Sequence, residues 1–327
     1  MKVLVWCATG EDETFLEQYN RGRLTLDYRE DTLTILNAHE AQGYEAVVIL
    51  TRCMVDEPVA RCLAAVGVRF IACKSAGYDH VDLEALRRYG IKAANVPLYS
   101  PNAIAEYVVM TVLMTLRKMK RQLRMTEAGD YSLSGIRGPE LRSQTVGIVG
   151  TGRIGMETLK LFSAFTRDIL LYDLYEREEA RALGTYTALE EIYARCQIII
   201  FHCPLTGDNR HMVNRETIAQ MRPGVILVNP ARGGLFDYEA VLEGIKSKRV
   251  GGLVFDVYGR EKEFLRKCLP GPGTGDLVFD ELTSMEQVIY TAHSAFYTDT
   301  ASRNMAETTV ENLAEYGAGG FCSHELT

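Results

Sequence analysis

Positive charge is in short supply in this 327-residue chain: its 36 basic residues are outnumbered by 43 acidic ones, for a formal charge of -7. Nucleic acid and anionic membrane surfaces need clustered positive charge, so neither is expected as a partner. Long apolar runs are missing as well. Nothing approaches the ~20 residues of a membrane span, and the opening MKVLVWCATGEDETF turns acidic before it has built the apolar segment of a signal peptide. The eight cysteines, at 7, 53, 62, 73, 196, 203, 268 and 322, include no CxxC pair and no cysteine-histidine cluster of zinc spacing, so no metal is expected. Cys7, Cys73 and Cys203 lie in or beside apolar runs, where a reduced cysteine behaves as a small hydrophobe; the expected compartment is the reducing cytoplasm. Internal repeats and low-complexity linkers are absent too. With 47% hydrophobic and 24% charged residues the chain can bury a large core, which excludes wholesale disorder, and its length suits about two domains. Small anionic ligands stay open, because a site needs only local charge.

Two blocks follow one another. From residue 2 to about 98, the apolar runs KVLVW (2–6), AVVIL (46–50), VRFIAC (68–73) and IKAANV (91–96) alternate with polar, helix-like segments such as Asp82 to Arg88. Strands alternating with helices imply a parallel sheet with helices on its faces. A longer helical pattern follows, with Ser100 as N-cap and Pro101 at the first helical position. It runs through AIAEYVVMTVLMTLRKMKRQLRM and is apolar around most of its circumference, as a helix buried between domains or subunits would be. The second block offers six strands: TVGIVG (145–150), DILLYD (168–173), QIIIFH (197–202), GVILVN (224–229), VGGLVFD (250–256) and QVIYT (287–291), with helical stretches such as Gly155–Phe165 and Tyr238–Lys246 between them. Near-continuous Ile/Leu/Val runs mark strands buried on both faces, and six in series match a doubly wound dinucleotide-binding sheet. The tail carries one more helical pattern (301–316), and the loop LPGPGTGDL (269–277) reads as an exposed excursion.

The sharpest motif is Gly150-Thr151-Gly152-Arg153-Ile154-Gly155, which directly follows the strand TVGIV and opens the helix METLKLF. The glycines serve the tight turn, the approach of backbone to a pyrophosphate, and close helix-strand packing. The helix N-terminus favours the negative charge, and Arg153 can add a charge-assisted contact. Read alone, the motif is also compatible with an ordinary glycine turn. Asp173 closes the next strand at about 20 residues on, where an acid holds the adenosine ribose hydroxyls and repels a 2'-phosphate; the expected cofactor is therefore NAD rather than NADP.

Three charged residues follow later strands at their carboxyl ends, where open parallel sheets take their ligands: Arg232 in NPARGG, Glu261 after VFDVY with Glu263 as a rival, and His293 in TAHSAFYT. Of the six histidines, His202 and His293 directly end a buried strand, a position that is often merely structural. The three together fit one chemistry. Hydride transfer to a 2-keto acid needs a proton donor at the carbonyl oxygen, a role histidine suits. It also needs a carboxylate to set the histidine's tautomer and favour its charged form, and a cation for the substrate carboxylate, which arginine's fork matches.

In YSPNAIAEY (99–107), TVGIVGTGRIG (145–155), HCPLT (202–206), NPARGGL (229–235), FDVYGRE (255–261) and TAHSAFYT (291–298) the chain resembles the NAD-dependent D-2-hydroxyacid dehydrogenases, and among them the D-lactate dehydrogenase branch. The resemblance covers essentially the whole chain. It implies a homodimer and two doubly wound α/β domains: a flavodoxin-like catalytic domain (1–98 plus 297–327) and a Rossmann NAD-binding domain (99–296), with 101–120 as an inter-domain or dimer helix. It assigns Arg232 to the substrate carboxylate and carbonyl, Glu261 to the histidine, and His293 to the acid/base role. Asp256 matches the aspartate that holds the nicotinamide carboxamide, and Ala76 and Gly77 the backbone N-H groups on the substrate carboxylate. Tyr99 and Phe296 match aromatic residues lining the substrate, though either can be plain packing. Cys203 and Pro204 match a cofactor-side loop acting through backbone and shape.

Two departures from the family pattern stand out. Leu50 ends a strand where D-lactate enzymes often carry tyrosine, with Arg52 two residues on; and Tyr258-Gly259 replaces a common Tyr-Glu, which leaves Glu261 as the partner. The implied reaction is reversible reduction of a small 2-keto acid by NADH, with pyruvate to D-lactate first and branched, aromatic or 2-oxoglutarate substrates as alternatives. An NADH-sensing binding protein is the remote alternative, because fold does not fix function.

Overall fold

In the computed structural model of the protein the described residues are 1–265, 267–271 and 273–327. Strands β1 (Lys2–Val5), β2 (Thr25–Tyr28), β3 (Ala46–Ile49), β4 (Phe70–Cys73) and β5 (Lys92–Ala94) form a five-stranded sheet in the order β2-β1-β3-β4-β5, every pairing parallel. Successive side chains leave on opposite faces. Leu4, Val47, Ile49 and Ile71 accordingly build one core, while Val3, Val5, Val48 and Phe70 build the other. Four of these strands lie on the apolar runs read from the sequence. Strand β2 does not, because TLDY sits at the sheet edge and is partly exposed along its length. Helices α1 (Gly10–Asn20), α2 (Glu57–Ala65) and α3 (Leu83–Tyr89) start at Thr9, Asp56 and Asp82, whose side chains accept from free N-H groups of the first turn.

The second unit opens with α4 (Pro101–Leu116) and α5 (Met119–Glu127). The sequence predicts one helix through this stretch; instead it breaks at Lys118, which takes the left-handed conformation with φ 51°. Apolarity explains the difference in burial: α4 buries Ala105, Val108, Val112 and Leu116, whereas α5, rich in Lys and Arg, buries none of its residues. There follow β6 (Val146–Val149), α6 (Arg153–Ser163), β7 (Ile169–Tyr172), α7 (Glu178–Arg181), β8 (Thr185–Tyr186), α8 (Leu189–Arg195), β9 (Ile198–Phe201), α9 (Arg215–Gln220), β10 (Val225–Asn229), α10 (Tyr238–Lys246), β11 (Val250–Phe255), α11 (Leu277–Ser284) and β12 (Val288–Tyr290). The seven strands form one parallel sheet in the order β12-β11-β10-β9-β6-β7-β8. The order reverses between β6 and β9, the switch point at which a doubly wound sheet leaves room for a ligand at its carboxyl edge. The loop 269–277 is largely exposed, with Pro272 outside the described residues.

Helix α12 (Asp299–Gly319) packs on the first sheet, with Ala306, Val310 and Leu313 in its second core and Tyr316 stacked on Phe70 at 4.3 Å. Leu326 N-H then donates to Ala93 O at 2.7 Å. Met1–Ser100 with Tyr297–Thr327 thus make one compact unit and Pro101–Phe296 the other. No helix among the described residues is long and apolar enough to cross a membrane.

Candidate active site

Strand β6 runs straight into the glycine loop. Gly150 takes φ 100°, and a Cβ there would lie 2.7 Å from Cys203 N; a Cβ on Gly155 would lie 2.0 Å from Gly150 O. Both positions therefore require glycine. Among the described residues nothing stands within 4 Å of that point at Gly152, and no side chain caps the start of α6. The first N-H groups of α6 are thus presented beside open space, the arrangement that receives a phosphate. Arg153 and half-buried Ile154 form the first helical residues. Asp173 is fixed beside the loop: its Oδ2 accepts from Thr151 N at 2.6 Å and Thr151 Oγ1 at 3.1 Å, and its Oδ1 from Tyr175 N at 3.1 Å.

Across the switch point, β9 ends in His202-Cys203-Pro204. His202 bonds Thr158 Oγ1 of α6 at 2.9 Å, and burial holds its imidazole down at about 3, so the ring is neutral and ties strand to helix. Burial pushes the Cys203 thiol up to about 11, which makes it a poor nucleophile at neutral pH. Pro204 is exposed, and its carbonyl accepts from Asn209 Nδ2 at 2.7 Å.

Glu261 and His293 meet. Glu261 Oε1 lies 2.7 Å from His293 Nδ1, and Oε2 accepts from Tyr258 N at 2.6 Å. An ionised carboxylate can only accept, so Nδ1 carries the proton and proton exchange falls to Nε2. The rival Glu263 is exposed. Arg232 follows β10; Asn229, fully buried, donates to Arg232 O at 2.9 Å, and Arg232 Nη1 donates to Ala231 O at 2.8 Å. Gly233 brings this loop to the one bearing Glu261, since a Cβ on it would sit 2.4 Å from Gly259 N. The Phe296 ring stands edge-on to His293 with centroids 6.4 Å apart.

His293 occupies the left-handed region, with φ 51°, a conformation that costs a non-glycine residue about 1 kcal/mol or more. Asp256, only 1% exposed, holds the turn. Its Oδ1 accepts from Ser294 N at 2.8 Å and from Thr291 Oγ1, its Oδ2 from Ala295 N at 2.9 Å, and its main-chain O from His293 N at 2.8 Å. This use of Asp256 was not legible in the sequence, where the family resemblance assigned the residue to the nicotinamide carboxamide.

In the first unit, Lys74 through Gly77 leave the carboxyl end of β4. Lys74 is buried and paired with Asp12, while Ser75 Oγ donates to Gly77 O at 2.8 Å and Asn95 Nδ2 to Ala76 O at 2.7 Å. Both carbonyls are thereby engaged within the unit, which holds the loop in one shape. Neither Lys74 nor Asp12 stood out from the sequence, because their pairing joins two distant loops. Tyr99 is half-buried, and its carbonyl accepts from Asn304 Nδ2 at 2.5 Å. Leu50 packs against the first core. Among the described residues no group of three or more His, Cys, Asp and Glu is placed to hold a metal ion.

A reversing parallel sheet, a glycine loop at its switch point and an acid on the next strand define a dinucleotide-binding α/β protein. Residues 109–295 match the family model for the NAD binding domain of D-isomer specific 2-hydroxyacid dehydrogenases. The chain is 36% identical to an aromatic 2-oxoacid reductase of Clostridium sporogenes, over 99% of each. It is 34% identical to a D-lactate dehydrogenase of Escherichia coli over 100% of both chains. The apo structure of D-lactate dehydrogenase from Escherichia coli superposes with a TM-score of 0.89 at 33% identity, over 100% of each chain. The chain belongs to the D-isomer-specific 2-hydroxyacid dehydrogenase family: it is an NAD-dependent enzyme of the D-lactate dehydrogenase branch.

Proposed function

We propose that the enzyme reduces pyruvate reversibly to D-lactate, with His293 as the acid/base. The observation that carries the acid/base role is the 2.7 Å contact between Glu261 Oε1 and His293 Nδ1, and the D-lactate dehydrogenase relatives favour pyruvate as the keto acid. The contact commits the other ring nitrogen to proton transfer and stabilises the imidazolium. NADH, when bound, supplies the hydride for the keto carbon. His293 Nε2 gives its proton to the carbonyl oxygen in reduction and withdraws it in oxidation. Arg232 binds the substrate carboxylate and carbonyl through its planar fork; by the family resemblance the N-H groups of Ala76 and Gly77 and the rings of Tyr99 and Phe296 are likewise assigned to the substrate. Gly150, Gly152, Arg153, Ile154 and Gly155 would hold the pyrophosphate, Asp173 the ribose hydroxyls, and Cys203, Pro204 and Asp256 the nicotinamide side. Asp256 keeps one of four acceptor positions for the carboxamide, the other three being used within the turn.

Met1–Ser100 with Tyr297–Thr327 then serve as the substrate domain and Pro101–Phe296 as the NAD domain, two residues off the boundary expected at 98/99. A homodimer in the cytoplasm fits the family resemblance and the exposed Met110, Leu123, Tyr131 and Leu133 on or after α4 and α5, an apolar surface that a partner copy would cover. A second reading, reduction of aromatic 2-keto acids, is favoured by the Clostridium sporogenes relative and by Leu50, which offers a neutral apolar side chain where a tyrosine is common. Initial rates on pyruvate, 2-oxoisocaproate, phenylpyruvate and 2-oxoglutarate, each with NADH and NADPH, test the choice. The expected result is the highest kcat/KM for pyruvate and a strong preference for NADH. A phenylpyruvate kcat/KM ten times that of pyruvate would replace the first reading by the second.

A further inference from the structure

The turn that presents His293 is fastened from an unexpected side. Thr291 Oγ1 touches two groups, Asp256 Oδ1 and Tyr107 Oη. A hydroxyl has one hydrogen, and the carboxylate can only accept, so Thr291 donates to Asp256 and Tyr107 donates to Thr291. The chain therefore runs in one direction from α4 through Thr291 to the buried carboxylate. From there Asp256 collects the N-H groups of Ser294 and Ala295, while its carbonyl takes that of His293. Tyr107 is partly buried and burial raises its phenol, so it stays a donor through the working pH range.

We propose that Tyr107 and Thr291 are positioning residues for the acid/base: together with Asp256 they lock residue 293 in its left-handed conformation, which fixes the aim of Nε2. A strained backbone residue persists only where its surroundings over-determine it, and here four hydrogen bonds converge on Asp256. Removing the Thr291 hydroxyl leaves Asp256 Oδ1 with one donor fewer and orphans the Tyr107 hydroxyl in a buried setting. The turn then gains freedom to relax toward ordinary φ. Because the anchor lies on α4, the effect reaches the acid/base without any group touching substrate.

The inference rests on His293 as acid/base, so the experiment begins with His293→Asn. Loss of turnover in that variant upholds the functional reading, and retained turnover would remove it together with this one. Next come Thr291→Val, Thr291→Ser, Tyr107→Phe, the Tyr107→Phe/Thr291→Val double variant, and Thr111→Val as a control, since Thr111 is buried on the same helix and its hydroxyl donates to the carbonyls of Tyr107 and Val108. The expected pattern is a kcat lowered roughly ten- to hundred-fold in Thr291→Val, as misplacement of a reacting group by about 1 Å would give. The NADH dissociation constant and the KM for the keto acid should move less than about three-fold. Thr291→Ser, which keeps the donor, should recover most of the loss; the double variant should be no slower than Thr291→Val, and Thr111→Val should match wild type. If Thr291→Val does not fold, Tyr107→Phe carries the same test, with a smaller kcat loss at unchanged KM. Given an inactive His293→Asn, either equal losses in the serine and valine variants or wild-type kcat in both Thr291→Val and Tyr107→Phe would overturn the proposal.

Discussion

At the scale of single residues, the contact between Glu261 and His293 asks most of its neighbours. The imidazole carries its proton on the nitrogen facing Glu261 because a carboxylate offers no hydrogen of its own, and Tyr258 N-H holds the second carboxylate oxygen in place. General acid-base help is commonly worth about 10² to 10⁴ in rate. His293→Asn should therefore lower kcat by about three orders of magnitude with NADH affinity nearly intact, and Glu261→Gln should lower it less, because an amide still accepts from Nδ1 but no longer stabilises the imidazolium. Stopped-flow single-turnover rates with separate fluorescence titration of NADH check both. Turnover in His293→Asn within ten-fold of wild type would remove the assignment.

Among elements, β9 and α6 are joined by a histidine that does no proton transfer. His202 is bonded to buried Thr158 and held neutral by its surroundings at about 3. An unfolded histidine titrates near 6.5. Below that value the unfolded chain takes up a proton that the folded one refuses, so this group subtracts stability as pH falls from about 6.5 toward 3 and subtracts none above that window. The loss is at most about 1.4 kcal/mol per pH unit, and less in practice because residue 202 as a whole is only half-buried. His202→Asn should flatten the fall in denaturation midpoint between pH 6.5 and 5, whatever its absolute stability at pH 7. An unchanged slope in urea melts at those two pH values would show that another group governs the acid limb. The elements also show what pattern reading reaches. All six apolar runs of the second block appear as strands, since burial on both faces leaves a local mark in the residues themselves. Strand β8, two residues long, and edge strand β2 leave none. The helical run after Pro101 likewise gave no hint of its break at Lys118, because apolar spacing does not report a single residue in the left-handed region.

For the whole molecule, the proposed homodimer predicts a particle of twice the 36.6 kDa chain mass in light scattering at micromolar concentration. Tyr131→Asp with Leu133→Asp, at positions 82% exposed in the single chain, should shift it to monomer if these residues meet a partner copy. A wild-type mass of one chain would refute the dimer.

Much of the site had local signatures: the glycine loop opening a helix, the acid closing the next strand, and charged residues just past apolar runs. Composition and spacing determined these, because backbone turns, strand burial and helix starts are set within a few residues. The rest needed the fold. Only the tertiary structure decided that Glu261 lies 2.7 Å from His293 while Glu263 is exposed, that Lys74 pairs with Asp12, and that Tyr107, Thr291 and Asp256 lie in one chain of hydrogen bonds. The partners in those contacts come from separate loops and strands, and a hydrogen bond is specified by positions in space that no local pattern of residues records.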